Sequence, residues 1–453
     1  MVITLDTRSD FTLANYAAVS RAGCAIRLSA GVIARMHERR AAFMRYLNAE
    51  PTPWVYGVTG TLSAGCALML SAADRNAQAL RPLAPMAVLS GEVMPQRIAR
   101  GAIFCRLANF IEGHAAVRPD LALAVASMLE ESLPTLPRAG HGAAGEMLLL
   151  SHLFGSLAAA MNLEEKEAGA LVNGAPVAAA LLADSALSSG PLLREMIDAV
   201  ALAIQAFGAP LEAYDPILGE LWHSPEAQRI LASLSHALPA RMSAPRSPQA
   251  PVSFRAAPRL LARALRSQAA LRRAAENALG AVTDNPLVVG EGGTVRVVVN
   301  GGFFDADAPA IFDDVAGVAA DLIRLLENLA TRIAETADVG ALSRAAQARL
   351  RGLVWALAGY AEDAVATASR TPLPGTAGGG APQNDLLSPV VQAWAKQSAT
   401  FDLLSRAAAT LRAVAACVAG DTPIDVQQLD LALRTRMASV NHAEEIGIND
   451  GQE

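Results

Sequence analysis

Five side chains in this sequence are of types, and in settings, that suit proton transfer on a small organic acid or its capture. Tyr56 sits in Trp54-Val55-Tyr56-Gly57-Val58-Thr59-Gly60-Thr61, a Gly/Thr-rich stretch holding one of only five tyrosines. A phenol works as acid or base only if its neighbours lower its pKa from about 10; otherwise it is a loop tyrosine bonded to backbone. Arg255 stands at a helix start, where a planar guanidinium can grip a carboxylate bidentately or form an ordinary surface ion pair. Asn173, in Val172-Asn173-Gly174-Ala175-Pro176, offers an amide at a turn, or simply makes the turn. Glu362 lies in the apolar helical pattern Gly359-Tyr360-Ala361-Glu362-Asp363. A carboxylate there is either protonated, with a raised pKa suited to proton transfer, or paired with an arginine of a neighbouring helix. Gln249, on a Pro/Ser-rich loop, is a further substrate contact.

A sixth feature is the loop Arg138-Ala139-Gly140-His141-Gly142-Ala143-Ala144-Gly145-Glu146, which runs into the apolar stretch Met147 to Phe154. Its glycines satisfy G-x-G-x-x-G. A dinucleotide fingerprint needs a preceding strand, however, and residues 121–131 before it are helical in period, which argues against a phosphate cradle. His114, His141 and His152 share no metal-ligand spacing and lie on or beside apolar helices, so they read as packing histidines and no metal is expected. His141 is the exception worth testing, because it sits in this loop.

The elements that must position these groups are mostly helical. Ile3 to Asp6 alternates like a short strand. Thr12 caps a helix to about Ala22, and Ser29 caps another to about Asn48, stopped by Pro51 and Pro53. Helical pattern covers Arg97 to His114, Leu121 to Leu133, the run after Gly145 to about Ala160, Glu164 to Leu171, Val177 to Ala183 and Gly190 to Gly208. After the loop at 241–251 very long helices dominate: Pro258 to Ala281, Ala308 to Ala337, Ser343 to Ser369 and Val390 to Ala419. About 30 residues of helix span roughly 45 Å, and helices of that length pack as a bundle. Thr294 to Val299 reads as a strand, and Gly375 to Gly380 as a flexible loop. The expected architecture is mainly α: a smaller, mostly helical N-terminal domain at 1–195 and a long-helix bundle at 196–453.

Composition agrees, with 52% hydrophobic, 4% aromatic and 18% charged residues over 453 positions, the profile of close-packed helices. A net charge of −6 with scattered Lys and Arg argues against nucleic acid as a partner. Cys24, Cys66, Cys105 and Cys417 are far apart in apolar settings, so free thiols in a reducing compartment are expected. The charged start at Met1 to Arg8 is unlike a signal peptide, and the long helical stretches carry charge within a few turns. The expectation is a cytoplasmic chain with no membrane partner.

Six segments in order resemble the histidine and phenylalanine ammonia-lyase family, over nearly the whole chain. Tyr56-Gly57-Val58-Thr59-Gly60 is similar to that family's Tyr-Gly-Val-Asn-Thr-Gly, one residue short. Val172-Asn173-Gly174 is similar to its Asn-Gly turn, and Ser253-Phe254-Arg255-Ala256-Ala257-Pro258 to its Ser-Leu-Arg-x-x-Pro. Glu276-Asn277-Ala278 with Thr283-Asp284-Asn285-Pro286-Leu287 resembles Glu-x-Asn…Asp-Asn-Pro-Leu, the most specific match. Gly301-Gly302-Phe303-Phe304-Asp305 stands where the family has Gly-Gly-Asn-Phe-His, and Gln383-Asn384-Asp385 where it has Gln-Glu-Asp.

The resemblance implies an ammonia-lyase-like helical fold, a homotetramer, and a small-molecule substrate bearing a carboxylate. It gives Tyr56 and Asn173 catalytic places and puts Arg255 and Phe304 at the substrate, to which the settings of the residues themselves add Glu362 as a catalytic group and Gln249 as a substrate contact. In the family the loop reads Gly-Ala-Ser-Gly-Asp, and its Ala-Ser-Gly cyclises and dehydrates to a methylidene-imidazolone electrophile. Here Ala143-Ala144-Gly145 stands in its place. Loss of the serine oxygen as water is what leaves the exocyclic methylene, and Ala144 has no oxygen to lose. Neighbouring positions diverge as well: the region of Pro85-Met86 lacks the family's Ser-His, and Val252 replaces a tyrosine. The expectation is an enzyme without cofactor that uses acid/base chemistry for elimination, isomerisation or cyclisation. The alternatives are a non-catalytic homologue that scaffolds or regulates a partner, and a conventional ammonia-lyase carrying an engineered Ser→Ala change.

Overall fold

A computed structural model of the chain describes residues 1–61, 68–240, 246–290, 294–337, 340, 342–373, 385–419 and 425–439. The expected loops at 375–380 and 241–245, together with Cys66, Gln383 and Asn384, lie outside the described residues. Among those described, helices dominate and the strands form three two-stranded sheets, so the mainly α expectation is met. The chain forms two compact units. The first is Met1–Asp184, Arg273–Pro309 and Thr371–Gln392; the second is Ser185–Arg272, Ala310–Arg370 and Ala393–Glu453.

In the first unit Val2–Leu5 pairs in parallel with Ala25–Leu28. The Thr12 and Ser29 side chains accept from the Asn15 and Val32 amides and so cap helices Leu13–Ser20 and Ala30–Leu47, each cap contributing about 1 kcal/mol. Buried positions Val32, Met36, Arg40, Phe43 and Leu47 recur at three- and four-residue spacing and give the second of these helices one inward face. Phe43 and Leu47 join Val55, Val58, Ala116, Val288 and Val295 in one core cluster. That cluster fixes the Tyr56 loop, because Val55 and Val58 on either side of the tyrosine are 1% and 3% exposed. Each is worth roughly 2 kcal/mol of burial.

Two expectations of local structure change. Ser90–Val93 and Pro137–Ala139 pair as short antiparallel strands. They carry no apolar alternation, since Ser90 to Val93 are all exposed, and so give no strand signal in sequence. The stretches 177–183 and 190–208, expected as separate helices, are one helix, Pro176–Phe207, with Pro191 inside it. An interior proline costs about 3 kcal/mol, which the burial of Leu187, Leu192, Leu193 and Met196 at 5% exposure or less offsets. Glu167–Phe207 is long and apolar enough to cross a membrane by composition, but 94% of its most apolar window is buried inside the protein.

The second unit contains most of the long helices; Asp307–Thr336, Arg344–Thr367 and Val390–Ala419 lie close to the expected bounds, whereas Val252–Leu279 begins ahead of the expected start at Pro258, which lies inside it. Charged pairs tie them together at their margins: Arg263 to Asp321 at 2.7 Å and Arg324 to Glu362 at 2.7 Å. Ser185 donates to Gln397 at 2.8 Å in the interior.

Candidate active site

Tyr56 is presented by a loop with little freedom. The amides of Val58, Thr59 and Gly60 all donate to the Val55 carbonyl, at 3.1, 3.0 and 2.8 Å. The fully buried Thr59 hydroxyl donates to the Pro53 carbonyl at 2.6 Å and accepts from the Val55 amide at 2.7 Å. A Cβ at Gly60 would meet the Trp54 indole at 2.4 Å, so only glycine closes the turn. The consequence is a half-buried phenol on a rigid support.

Facing the same space is the Asn173-Gly174 turn. Gly174 has φ +98, and a side chain there would run into Thr283 at 2.9 Å, which explains glycine at this position. The Thr283 hydroxyl accepts from the Ala175 amide at 2.9 Å. Asn109, directly after helix Gln96–Ala108, accepts from the amides of Thr283 and Asp284 at 2.7 and 3.0 Å. Thus the Thr283-Asp284-Asn285-Pro286 segment, the most specific motif in the sequence, serves as the bracket that holds the Asn173 turn.

The third wall is the loop at 144–146. A Cβ at Gly145 would lie 3.2 Å from the Phe303 ring, so the backbone passes close to that aromatic. The Ala143 carbonyl accepts from the Ser388 amide at 3.2 Å. Ala144 is 9% exposed and its side chain is a methyl group; residues 143–145 therefore do not supply the hydroxyl from which the family's methylidene-imidazolone is built. The next residue, Glu146, is a buried carboxylate that accepts from the Val177 amide at 2.7 Å and the Ala178 amide at 2.6 Å, in the first turn of helix Pro176–Phe207. Burial pushes its pKa up to about 8, against the pull of those two amides and of Arg106.

Arg106 is fully buried, and none of its guanidinium nitrogens has a hydrogen-bond partner among the described residues. It lies over the Phe110 ring at 5.9 Å, and burial lowers its pKa to about 10. Lys166 takes the left-handed conformation at φ +76, a cost of order 1 kcal/mol for a non-glycine residue. From there its ammonium reaches Asp284 at 2.5 Å with both side chains essentially dry. A buried acid, a buried ion pair and an unbonded guanidinium thus lie behind one polar wall.

Tyr56, Asn173, Ala144, Gly145, Glu146 and Lys166 line a single cavity of about 330 Å³, room for a small organic molecule. Of the residues singled out in sequence, this brings together Tyr56, Asn173, Ala144 and Gly145. Ala143 lines a much smaller neighbouring pocket with His141. Phe303 lines the main cavity, whereas Phe304 next to it does not. Arg255, Gln249 and Glu362 belong to the second unit. There Arg255 is exposed and donates through Nε to the Ala250 carbonyl at 2.9 Å, and Gln249 is exposed in a turn with Ser247. Glu362, at 73% side-chain exposure, has the ion-paired form of its two sequence alternatives, with Arg324.

The histidines divide. His152 accepts from the Leu89 amide at 2.9 Å, and the His114 ring is 3.1 Å from the Val288 carbonyl, as packing histidines do. The His141 Nε2 is buried without a partner among the described residues, and burial lowers its pKa. No cluster of three or more His, Cys, Asp or Glu side chains suited to a metal occurs among the described residues. Glu146, Lys166, Arg75 and Arg81 are cavity residues that sequence reasoning passed over. Glu146 had a usable signal, an acid at the start of an apolar helix. Lys166 had none, because its partner Asp284 is 118 residues away.

The helical chain thus holds a phenol, an amide and a buried carboxyl around one cavity. The family model for aromatic amino acid lyases matches residues 11–162 and 158–369, and the chain belongs to that family. Histidine ammonia-lyase of Streptomyces avermitilis is 27% identical over 358 residues, 72% of this chain and 69% of that protein. In structure the chain is similar to histidine ammonia-lyase from Trypanosoma cruzi, with a TM-score of 0.80 at 18% identity over 99% of this chain and 97% of that one. It is similar also to an ergothioneine-degrading enzyme from Treponema denticola, with a TM-score of 0.79 at 14% identity over 99% and 97%.

Proposed function

We propose that this chain is an enzyme that carries out an elimination on a carboxylate-bearing small molecule by acid/base chemistry, without a methylidene-imidazolone. The observation that carries this reading is the shared cavity of Tyr56, Asn173 and Glu146 beside Ala144. Two of the polar groups that the family resemblance places at its site line this cavity, while the position that makes the family's electrophile has a methyl group. The reaction must then proceed without activating a poor amine leaving group, which favours substrates with a better one.

In this reading Tyr56 acts as the general base that takes the C–H proton, the C–H electrons form the new double bond, and the leaving group departs with its bonding pair. Glu146, held protonated at neutral pH by its burial, donates the proton that the leaving group accepts. Solvent then returns the Tyr56 proton to Glu146. Asn173 supplies an amide to the substrate from its bracketed turn. Isomerisation and cyclisation start from the same proton removal and differ in where the electron pair goes.

Intact mass spectrometry and turnover test the proposal together. The expected mass is that of the unmodified chain; a mass short by two waters overturns the claim that no prosthetic group forms. Against a panel of carboxylic acids with leaving groups on the neighbouring carbons, Tyr56→Phe lowers kcat by about 100-fold or more, the usual weight of one general acid or base. Turnover untouched by Tyr56→Phe, or ammonia released from histidine or phenylalanine by the unmodified chain, defeats the mechanism.

A further inference from the structure

The lining of the main cavity contains three cationic side chains, Arg75, Arg81 and Lys166, and two acidic ones, Glu146 and Glu165. Most of that charge is already neutralised. Lys166 is paired with the buried Asp284 at 2.5 Å, and Glu165 lies 3.7 Å from Arg40. Glu146 faces backbone amides and binds its proton tightly. What is left is the pair of guanidinium groups on Arg75 and Arg81, for which no hydrogen bond or ion pair occurs among the described residues.

The local fold explains why these two point at one space. Arg75 is on the short helix Ala72–Ala79, whose N-cap Ser71 accepts from the Asp74 amide and also donates to the Asp74 carboxylate. Asp74 and Arg75 are adjacent on the helix and so do not face each other. Arg81 follows directly after the helix C-cap Leu80. Arg75 is half-buried and Arg81 exposed, and both line the cavity. Unpaired guanidinium groups on a cavity wall favour anions, through charge-assisted and often bidentate hydrogen bonds.

We propose that Arg75 and Arg81 form an anion-recognition subsite of this cavity, and that the substrate is a dianion with a second acidic group, a carboxylate or a phosphonate-like oxyanion, besides its first carboxylate. The inference rests on reading this cavity as the substrate site, and it concerns binding, so it can be tested without turnover.

Calorimetric titration of the full chain with butanoate, butanedioate and 3-phosphonopropanoate compares one carbon skeleton with and without the second charge. Both dianions are expected to bind at least about tenfold more tightly than butanoate, as one charged guanidinium contact implies. The tighter of the two identifies the oxyanion. In Arg75→Gln/Arg81→Gln the preference falls to within about twofold of unity. In the unaltered chain it shrinks as salt rises, because partly exposed charges are screened. Equal binding of the three acids by the unaltered chain, or no binding of any of them, overturns the subsite. So does a preference that survives in the double variant. Dianion preference without turnover defeats the elimination mechanism alone; turnover without dianion preference defeats the subsite alone.

Discussion

Two glutamates beside or within apolar helical runs, Glu146 and Glu362, show opposite outcomes of similar sequence settings. Glu146 leads into the run Met147 to Leu150, and Glu362 lies between Ala361 and Asp363 in a helix with a buried apolar face. Glu146 is 8% exposed, faces two backbone amides and lines the cavity. Glu362 projects to solvent and pairs with Arg324. The difference is geometric. In helix Arg344–Thr367 the buried positions are Leu350, Leu357, Ala361 and Ala364, and Glu362 falls on the opposite side. Glu146 precedes helix Met147–Ala160 and meets the first turn of another helix instead. An apolar neighbourhood in sequence is therefore not burial; the helical phase decides.

The contrast is broken most severely at the ion pair behind the Glu146 wall. Lys166→Met leaves Asp284, fully buried, without its ammonium. Removing one member of a buried pair costs about 3–5 kcal/mol, to be read as a fall in the denaturant midpoint. Lys166→Met/Asp284→Asn removes both charges and is expected to recover most of the loss. A single variant as stable as the unaltered chain would show that the polar wall is not held by this pair.

A subtler effect separates Glu146 from every exposed carboxylate. Its pKa is raised from 4.5 to about 8, so between those values the folded chain holds a proton that the unfolded chain has released. Stability then falls as pH rises from about 4.5 to about 8 and levels off above, by a few kcal/mol in total. In Glu146→Gln this contribution is lost, while those of Asp305, whose pKa burial also raises, and of His141 and His152, whose pKa values burial lowers, remain. Equilibrium unfolding measured from pH 5 to pH 9 checks it. A slope unchanged in the variant would place the proton elsewhere.

How much of this was legible beforehand depends on the range over which each cause acts. The long helices and the caps at Thr12 and Ser29 are local patterns, and the structure follows them closely. The Tyr56 and Asn173 loops were found through glycine-bearing turns, and they share a cavity. The cavity's charge balance was not readable, because it depends on Lys166 meeting Asp284 and on Glu165 meeting Arg40, contacts between segments far apart in sequence. Nor could the sequence show that residues 273–309 and 371–392 return to the first unit, since the helices that carry the chain out and back look alike from end to end.

The smallest expected effect lies on the other side of the comparison. Arg324 bonds both Glu327 and Glu362 at 2.7 Å, but the three side chains are between 20% and 73% exposed. Water already solvates these charges, and holding long side chains in place costs entropy, so exposed pairs are worth about 0–1 kcal/mol. Arg324→Met and Glu362→Gln should each shift the unfolding free energy by less than about 1 kcal/mol, and by less still in 0.5 M salt. A loss of 3 kcal/mol or more, similar to that expected for Lys166→Met, would mean that Glu362 is shielded from water in the working protein. The distinction between the two glutamates would then vanish.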